Sequence, residues 1–275
     1  MTDPLSLPAE QPGIIEVSGT DAVRFLNGQI TQDARSLGQK CLPACITDAK
    51  GRLQHAIEIQ QGPTEGLLWL ITRPDALQEI IDRLDRYRIA DDVEFATPAG
   101  WTRVRSSGNP GDADLVRESQ LWFDEGRDHW WQGAPAISGR QLSESQTEDL
   151  RIARGIPAWD RELIPGLLPP EAGLDKTAIS YHKGCYIGQE VLSRIKSAGK
   201  LNRRLARLSI SPALGGQDGT RDNTLLFGGK EVGTLTSLSS DGSSALGYLG
   251  KSAFDADALS LASRPGLVVR RLGWA

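Results

Sequence analysis

Apolar and polar positions first organise over Gly13-Ile14-Ile15-Glu16-Val17, which reads as a strand. A short helix is expected over Ala22-Val23-Arg24-Phe25-Leu26, capped by Thr20 or Asp21 and ended by Gly28. Strands are expected near 40–47 and 52–60, joined by the turn Asp48-Ala49-Lys50-Gly51, and again from Leu67 to Thr72. Pro74 suits the first turn of a helix in which Leu77, Ile80, Ile81 and Leu84 recur at helical spacing. Val93-Glu94-Phe95 returns as a strand, and Gly108-Asn109-Pro110-Gly111 reads as a loop. Leu121-Trp122-Phe123 and Trp130-Trp131 read as a hairpin around Asp124-Glu125-Gly126. Ser145-Gln146-Thr147-Glu148 has capping-box form and opens a helix that Gly155 and Pro157 stop. This irregular order of strands and helices predicts α+β layers and not a doubly wound parallel sheet.

From about residue 201 the texture changes. Short apolar runs at 205–210, 224–227, 231–238, 244–249, 258–262 and 266–272 are separated by Gly, Ser, Asp and Asn. No helix is needed to account for them, so a small all-β barrel domain is expected over 201–275.

Composition narrows the class. The 275 residues are 39% hydrophobic and 24% charged, which describes an ordinary globular protein with ample material for a core. Thirty-one Lys+Arg against 35 Asp+Glu give a net charge of −4, which excludes a chain-wide basic coat for nucleic acid. Three cysteines, Cys41, Cys45 and Cys185, are too few for a secreted disulfide framework. Residues Met1 to Pro8 carry no basic n-region and no apolar run, and no stretch approaches the roughly 18 apolar residues of a membrane span. A cytoplasmic location, with thiols kept reduced and no membrane contact, is the resulting expectation.

Familiar catalytic strings are missing. There is no Walker loop, no nucleophile elbow and no paired CxxC. With His55, His129 and His182 the only histidines and three cysteines in all, no resident metal is expected. Cys41 and Cys45, four apart on an expected strand, read as buried structural thiols.

The chemistry gathers between Trp159 and Arg204. Prolines and glycines break an apolar stretch around Pro169-Pro170-Glu171-Ala172-Gly173-Leu174, leaving Glu171 among apolar neighbours. Such a carboxylate either caps backbone amides or accepts N–H bonds from an amidine-like ring edge such as a pterin. Next comes Lys183-Gly184-Cys185-Tyr186-Ile187-Gly188-Gln189-Glu190, followed by Arg194. A helix is expected to begin near Gly188 or Gln189 and end before Gly199, which sets Cys185 just upstream of its N-terminus, near Lys183 and His182. Positive partial charge and a cation both favour the thiolate, so Cys185 is expected to be the reactive thiol. From 183 to 207 seven basic residues face the single acid Glu190, a net +6, so the rest of the chain carries −10. A polyanion, either a polyglutamylated ligand or nucleic-acid phosphate, would suit that stretch.

On these residues the chain resembles the YgfZ branch of the YgfZ/GcvT folate-binding family. The octet Lys183–Glu190 matches that branch's K-G-C-Y-x-G-Q-E signature without a gap. Ser18-Gly19-Thr20-Asp21-Ala22 through Asn27-Gly28-Gln29-Ile30-Thr31-Gln32-Asp33 is similar to its opening, and Asp48-Ala49-Lys50-Gly51-Arg52 to its hairpin. Pro170-Glu171-Ala172-Gly173-Leu174 and Gly233-Thr234-Leu235-Thr236-Ser237 are similar to two further family strings.

The resemblance implies an α+β fold of aminomethyltransferase type. It would be a ring of two interleaved ferredoxin-like units over residues 1–200, the second roughly 41–98, plus the C-terminal β-barrel. It implies tetrahydrofolate as ligand, with Cys185 as the key functional residue. Lys183, Tyr186, Gln189, Glu190 and Arg194 are then folate-site residues, and Glu171 the pterin contact. The implied function is support of iron–sulfur cluster assembly or repair, including for tRNA-modifying enzymes, with iron–sulfur client proteins as partners. The other branch, the aminomethyltransferase of glycine cleavage, places a catalytic aspartate after its hairpin turn. Gln54 and His55 stand there in this chain, which argues against that activity. A third reading is an RNA-binding module built on the basic run.

Overall fold

The structure is a computed structural model, describing residues 5–109, 111–214 and 223–275. Residues 1–4 of the N-terminal reading and Pro110 of the expected loop lie outside the described residues. The chain divides into two compact units, one of Met1–Ser143 and Asp175–Ser193, the other of Glu144–Leu174 and Arg194–Ala275.

In chain order the first unit begins with β1 (Leu5–Ser6), β2 (Gly13–Ser18), α1 (Ala22–Gln29), β3 (Leu42–Thr47), β4 (Leu53–Gln61) and β5 (Leu68–Thr72). It continues with α2 (Leu77–Asp85), β6 (Glu94–Ala96), β7 (Trp101–Ser106), β8 (Leu115–Glu118), β9 (Arg127–Gln132) and β10 (Arg140–Gln141). Two five-stranded sheets result, ordered β3-β4-β5-β2-β6 and β10-β1-β7-β9-β8. Consecutive strands β1 and β2 therefore belong to different sheets. Ile15, Val17, Ile46, Ile57, Ile59 and Leu70 on one face of the first sheet pack with Phe25 and Leu26 of α1 and Ile80 and Leu84 of α2. That face is buried because period-2 strands and period-3.6 helices point their apolar residues at each other.

A second cluster joins the two sheets. Ile14, Cys41, Trp69, Ile71, Leu115 and Trp130 are buried together, with Trp69 edge-on to Trp130 at 5.2 Å between ring centroids. Charges are buried beside them. Arg103 Nε donates to Glu10 Oε1 at 2.8 Å, and its Nη1 meets Glu58 and Asp128. Arg105 Nη2 donates to both oxygens of Glu58, at 2.9 and 2.8 Å. Burial alone would push the Glu58 carboxyl up, but Arg103 and Arg105 outweigh it and hold Glu58 below its ordinary value. Asp128 goes the other way, because burial outweighs the same two cations. The Cys41 sulfur lies within 4.8 Å of ligand oxygens of Glu58 and Asp128. With both carboxylates already claimed by guanidiniums and burial raising the Cys41 thiol, the group is an internal ion-pair cluster and not a metal centre.

Two sequence expectations fail here. Leu121, Trp122 and Phe123 form a turn, and the strand that precedes β9 in its hairpin is β8, with Leu115 opposite Trp130 and Glu118 opposite Arg127. Strand β7 was unforeseen, since an arginine occupies one of its inward positions. Helix α1 runs through Gly28 to Gln29 instead of ending at Gly28.

The second unit holds α3 (Glu144–Arg154), which starts one residue before the expected capping box, so Glu148 serves inside the helix as the ion-pair partner of Arg151. Helix α4 (Gln189–Ala198) carries the division between the units. The strands β11 (Arg203–Ser211), β12 (Thr224–Phe227), β13 (Lys230–Leu238), β14 (Ser244–Gly250), β15 (Leu259–Leu261) and β16 (Arg264–Trp274) close into a barrel ordered β11-β14-β13-β12-β15-β16. Ala206, Leu208, Leu225, Leu235, Leu261 and Val269 belong to its core. The six apolar runs read from the sequence are these six strands. No described helix is long and apolar enough to cross a membrane.

Candidate functional site

The octet lies in the first unit, on the loop that leads into α4. Three sets of contacts fix its path. The first is with the segment after α1: Ser180 N donates to Thr31 O at 2.9 Å, Thr31 Oγ1 to Ala178 O at 2.6 Å, and Gln32 Nε2 to Thr177 O at 3.0 Å. Ile187 N donates to Gly28 O at 3.2 Å. The second set runs through Lys183, whose ammonium donates to Ile30 O at 2.9 Å and Gln32 O at 2.6 Å. The third is with the hairpin turn between β3 and β4: Thr47 Oγ1 donates to Ile187 O at 2.6 Å.

Gly188 completes that docking. Its φ is +87°, and a Cβ there would stand 2.5 Å from Asp48 O and 2.8 Å from Gly51 Cα. Two stretches far from the octet in sequence, the N-G-Q-I-T-Q string and the 48–51 turn, thus form its bed. Their separation is why sequence reading found each string but not the pairing.

Lys183 differs from its expected role. It is buried, its hydrogen bonds go to main-chain carbonyls, and its ammonium lies 5.2 Å from the Tyr186 ring. Burial draws its pKa down to about 8, with Asp33 opposing and Arg35 assisting. It fastens the loop. A lysine depressed in the fold from 10.5 to about 8 binds fewer protons than the unfolded chain between those values, so its contribution to stability rises with pH across that window. Wild type should therefore gain about 1–2 kcal/mol relative to Lys183→Met between pH 7.5 and 9.5, read by urea unfolding at both pH values.

Cys185 is exposed, whereas Cys41 and Cys45 are buried. Burial pushes the Cys45 thiol up to about 12 and the Cys41 thiol well above its ordinary range. Exposure alone therefore selects Cys185 as the thiol available for chemistry. Tyr186 packs with Ile179 and Leu192, and its buried hydroxyl meets no hydrogen-bond partner among the described residues. Gln189 is half-buried at the first turn of α4, and Glu190 is exposed beside it.

Glu171 and Arg194 belong to the second unit. Arg194 is exposed on α4. Glu171 sits in the 3₁₀ turn Pro169–Ala172, and its Oε2 accepts from Arg203 Nε at 2.9 Å. Neither of the two sequence roles for Glu171 included that ion pair. Its Oε1 makes no hydrogen bond among the described residues, so one carboxylate edge is still able to accept an N–H. Arg203 is itself steadied over the Tyr248 ring at 4.8 Å. The turn is pinned by Gly173, where a Cβ would stand 2.4 Å from Ala275 O. The signal for Arg203 lay only in the excess charge of the 183–207 run.

That run is not one open basic surface. Lys183 is buried in the first unit, Arg203 pairs with Glu171, and Arg207 donates to Ala153 O at 3.0 Å. Gln54 accepts from Arg83 Nε at 3.0 Å, and His55 is buried, with burial lowering its pKa.

Comparison with known proteins gives a consistent picture. No protein-family model matches the chain. A putative chloroplastic transferase of Arabidopsis thaliana is 29% identical over a 286-residue alignment, covering 88% of this chain and 64% of that protein. The mitochondrial iron–sulfur cluster assembly factor IBA57 homologue of Coccidioides immitis is 27% identical over 232 residues, 72% of this chain and 55% of its own. The chain thus spans less than two thirds of the length of these two relatives. An uncharacterized protein of Haemophilus influenzae is 27% identical over 229 residues, covering 82% of this chain and 80% of that protein. Among solved structures, the glycine cleavage system aminomethyltransferase T of Bartonella henselae matches with a TM-score of 0.76, over 98% of this chain and 85% of its own. At 14% identity that likeness establishes the fold alone.

Proposed function

We propose that this chain, a member of the YgfZ/GcvT folate-binding family, is a tetrahydrofolate-binding factor for iron–sulfur cluster assembly or repair that acts through Cys185. The observation that carries the reading is the exposed thiol at the centre of a rigidly seated octet, in a chain whose other two cysteines are buried. The mitochondrial relatives named as cluster assembly factors support the iron–sulfur role. Support of tRNA-modifying iron–sulfur enzymes is the finer form of this proposal.

For folate, the open Oε1 of Glu171 fits the N–H edge of a pterin, with Arg203 holding the other oxygen in place. Arg194 would offer charge to the glutamate tail, and the buried, unpartnered hydroxyl of Tyr186 offers a polar contact in the first unit. Gln189 and Glu190 are further proposed binding residues of the first unit, where Lys183 acts indirectly by fixing the loop. Folate supplies one-carbon chemistry when bound; the chain's residues bind and orient it. Transferase activity of the glycine-cleavage kind is the weaker reading, because Gln54 and His55 supply no carboxylate at the hairpin, and the Gln54 amide is engaged by Arg83.

Binding to the native state must raise its apparent stability. Saturating tetrahydrofolate should raise the melting temperature of the wild type by several degrees, and Glu171→Gln should lose most of that shift. An unchanged wild-type melting temperature near saturation would remove folate from the account.

A further inference from the structure

We propose that Arg83 forms the base of a binding site for a compact inorganic anion, of chloride to phosphate size, on the helix side of the first unit. Among the described residues the buried arginines are Arg83, Arg103, Arg117 and Arg151. Arg103 and Arg151 are met by carboxylates. Arg117 has none, but its three nitrogens all donate, to Gln61 O, Gly62 O, Val116 O and Gln39 Oε1. Arg83 has neither remedy. It is 4% exposed, and no carboxylate among the described residues reaches it. Its Nε donates to Gln54 Oε1 and its Nη1 to Gln29 Oε1, both at 3.0 Å. Its Nη2 is buried with no partner.

A buried cation without a counter-charge and with an unmade hydrogen bond is strongly unfavourable, so something is expected to complete it. The surroundings say of what sign. Gln29 and Gln54 spend their amide oxygens on Arg83, which leaves N–H groups as their remaining capacity. The nearby ionisable groups, Arg86 and His55, add no negative charge; Glu79 does, but it faces His55 at 3.7 Å and is 74% exposed. An unmade donor on a buried cation calls for an acceptor, and an anion supplies one together with the missing counter-charge. The Tyr87 ring lies 4.1 Å from the guanidinium and is itself exposed.

Introducing a carboxylate tests this without relying on a variant that removes the arginine. Melting temperatures of the full chain are compared in sodium gluconate, sodium chloride and sodium phosphate at matched ionic strength. Wild type should melt about 3 °C higher in chloride or phosphate than in gluconate, whose bulk excludes it from the site. Gln54→Glu, which supplies the counter-charge internally, should raise the melting temperature in gluconate and abolish the dependence on anion. Arg83→Met should likewise show no dependence. If wild type melts alike in all three salts, a water completes Nη2 and the site is overturned. It is also overturned if Gln54→Glu keeps the full anion-dependent shift.

Discussion

Arg103→Met is expected to destabilise the protein by about 3–5 kcal/mol, the cost of leaving three carboxylates to share the single cation of Arg105. Arg103 touches Glu10, Glu58 and Asp128 at once, and Asp128 is wholly buried. Methionine fills much of the same volume, so the loss reflects charge and not a cavity. The cluster holds two cations and three carboxylates, and burial already pushes Asp128 towards its neutral form. Adding Asp128→Asn to Arg103→Met should therefore recover about 1–2 kcal/mol, a non-additivity that urea unfolding of the two single variants and the double variant will measure. Additive losses would mean that the two side chains do not share one network.

Gly188→Ala should cost about 3 kcal/mol. The positive φ contributes about 1–2 kcal/mol for any residue with a Cβ, and overpacking adds about 1–3. Here the added atom meets the main chain of Asp48 and Gly51, which cannot rotate away as a side chain would. Gly184 provides the control within the same octet. A Cβ there meets nothing within 4 Å, and Gly184→Ala should change stability by no more than about 0.5 kcal/mol. Equal effects of the two alanines in denaturant unfolding would show that the octet is not seated on the hairpin turn.

How much of this was legible in the chain depended on the range of the interactions. The barrel was readable because each strand buries apolar residues and each connection is punctuated by turn residues, which are local signals. Helix α4 was readable for the same reason. Strand β7 was not, because its buried residues include Arg103 and Thr102, and a charged residue at an inward position breaks the apolar alternation. Only the carboxylates brought in from Glu10, β4 and β9 make that position tolerable. The misplaced hairpin has a similar origin: Trp122 and Phe123 look like strand residues, yet β8 carries Arg117 and Glu118 in their stead.

At the candidate site, the octet was found as a string, and Cys185 was singled out by its neighbours in sequence. The role of Lys183 was not found, since its acceptors are main-chain carbonyls about 150 residues away, which side-chain identity does not encode. The Glu171–Arg203 pair was missed because a run of basic residues reads as a surface until one of its members is seen to be paired. The positive φ at Gly188 is consistent with its glycine, but the close approach to Asp48 needed the fold.

The central claim is that the exposed Cys185 thiol carries the function while contributing little to the fold. Cys185→Ser, expressed in cells that lack the wild-type chain, tests it through the activity of their iron–sulfur enzymes. The variant should accumulate and melt like wild type, yet leave those activities at the level of the deficient cells. Full restoration of iron–sulfur enzyme activity by Cys185→Ser would contradict the account.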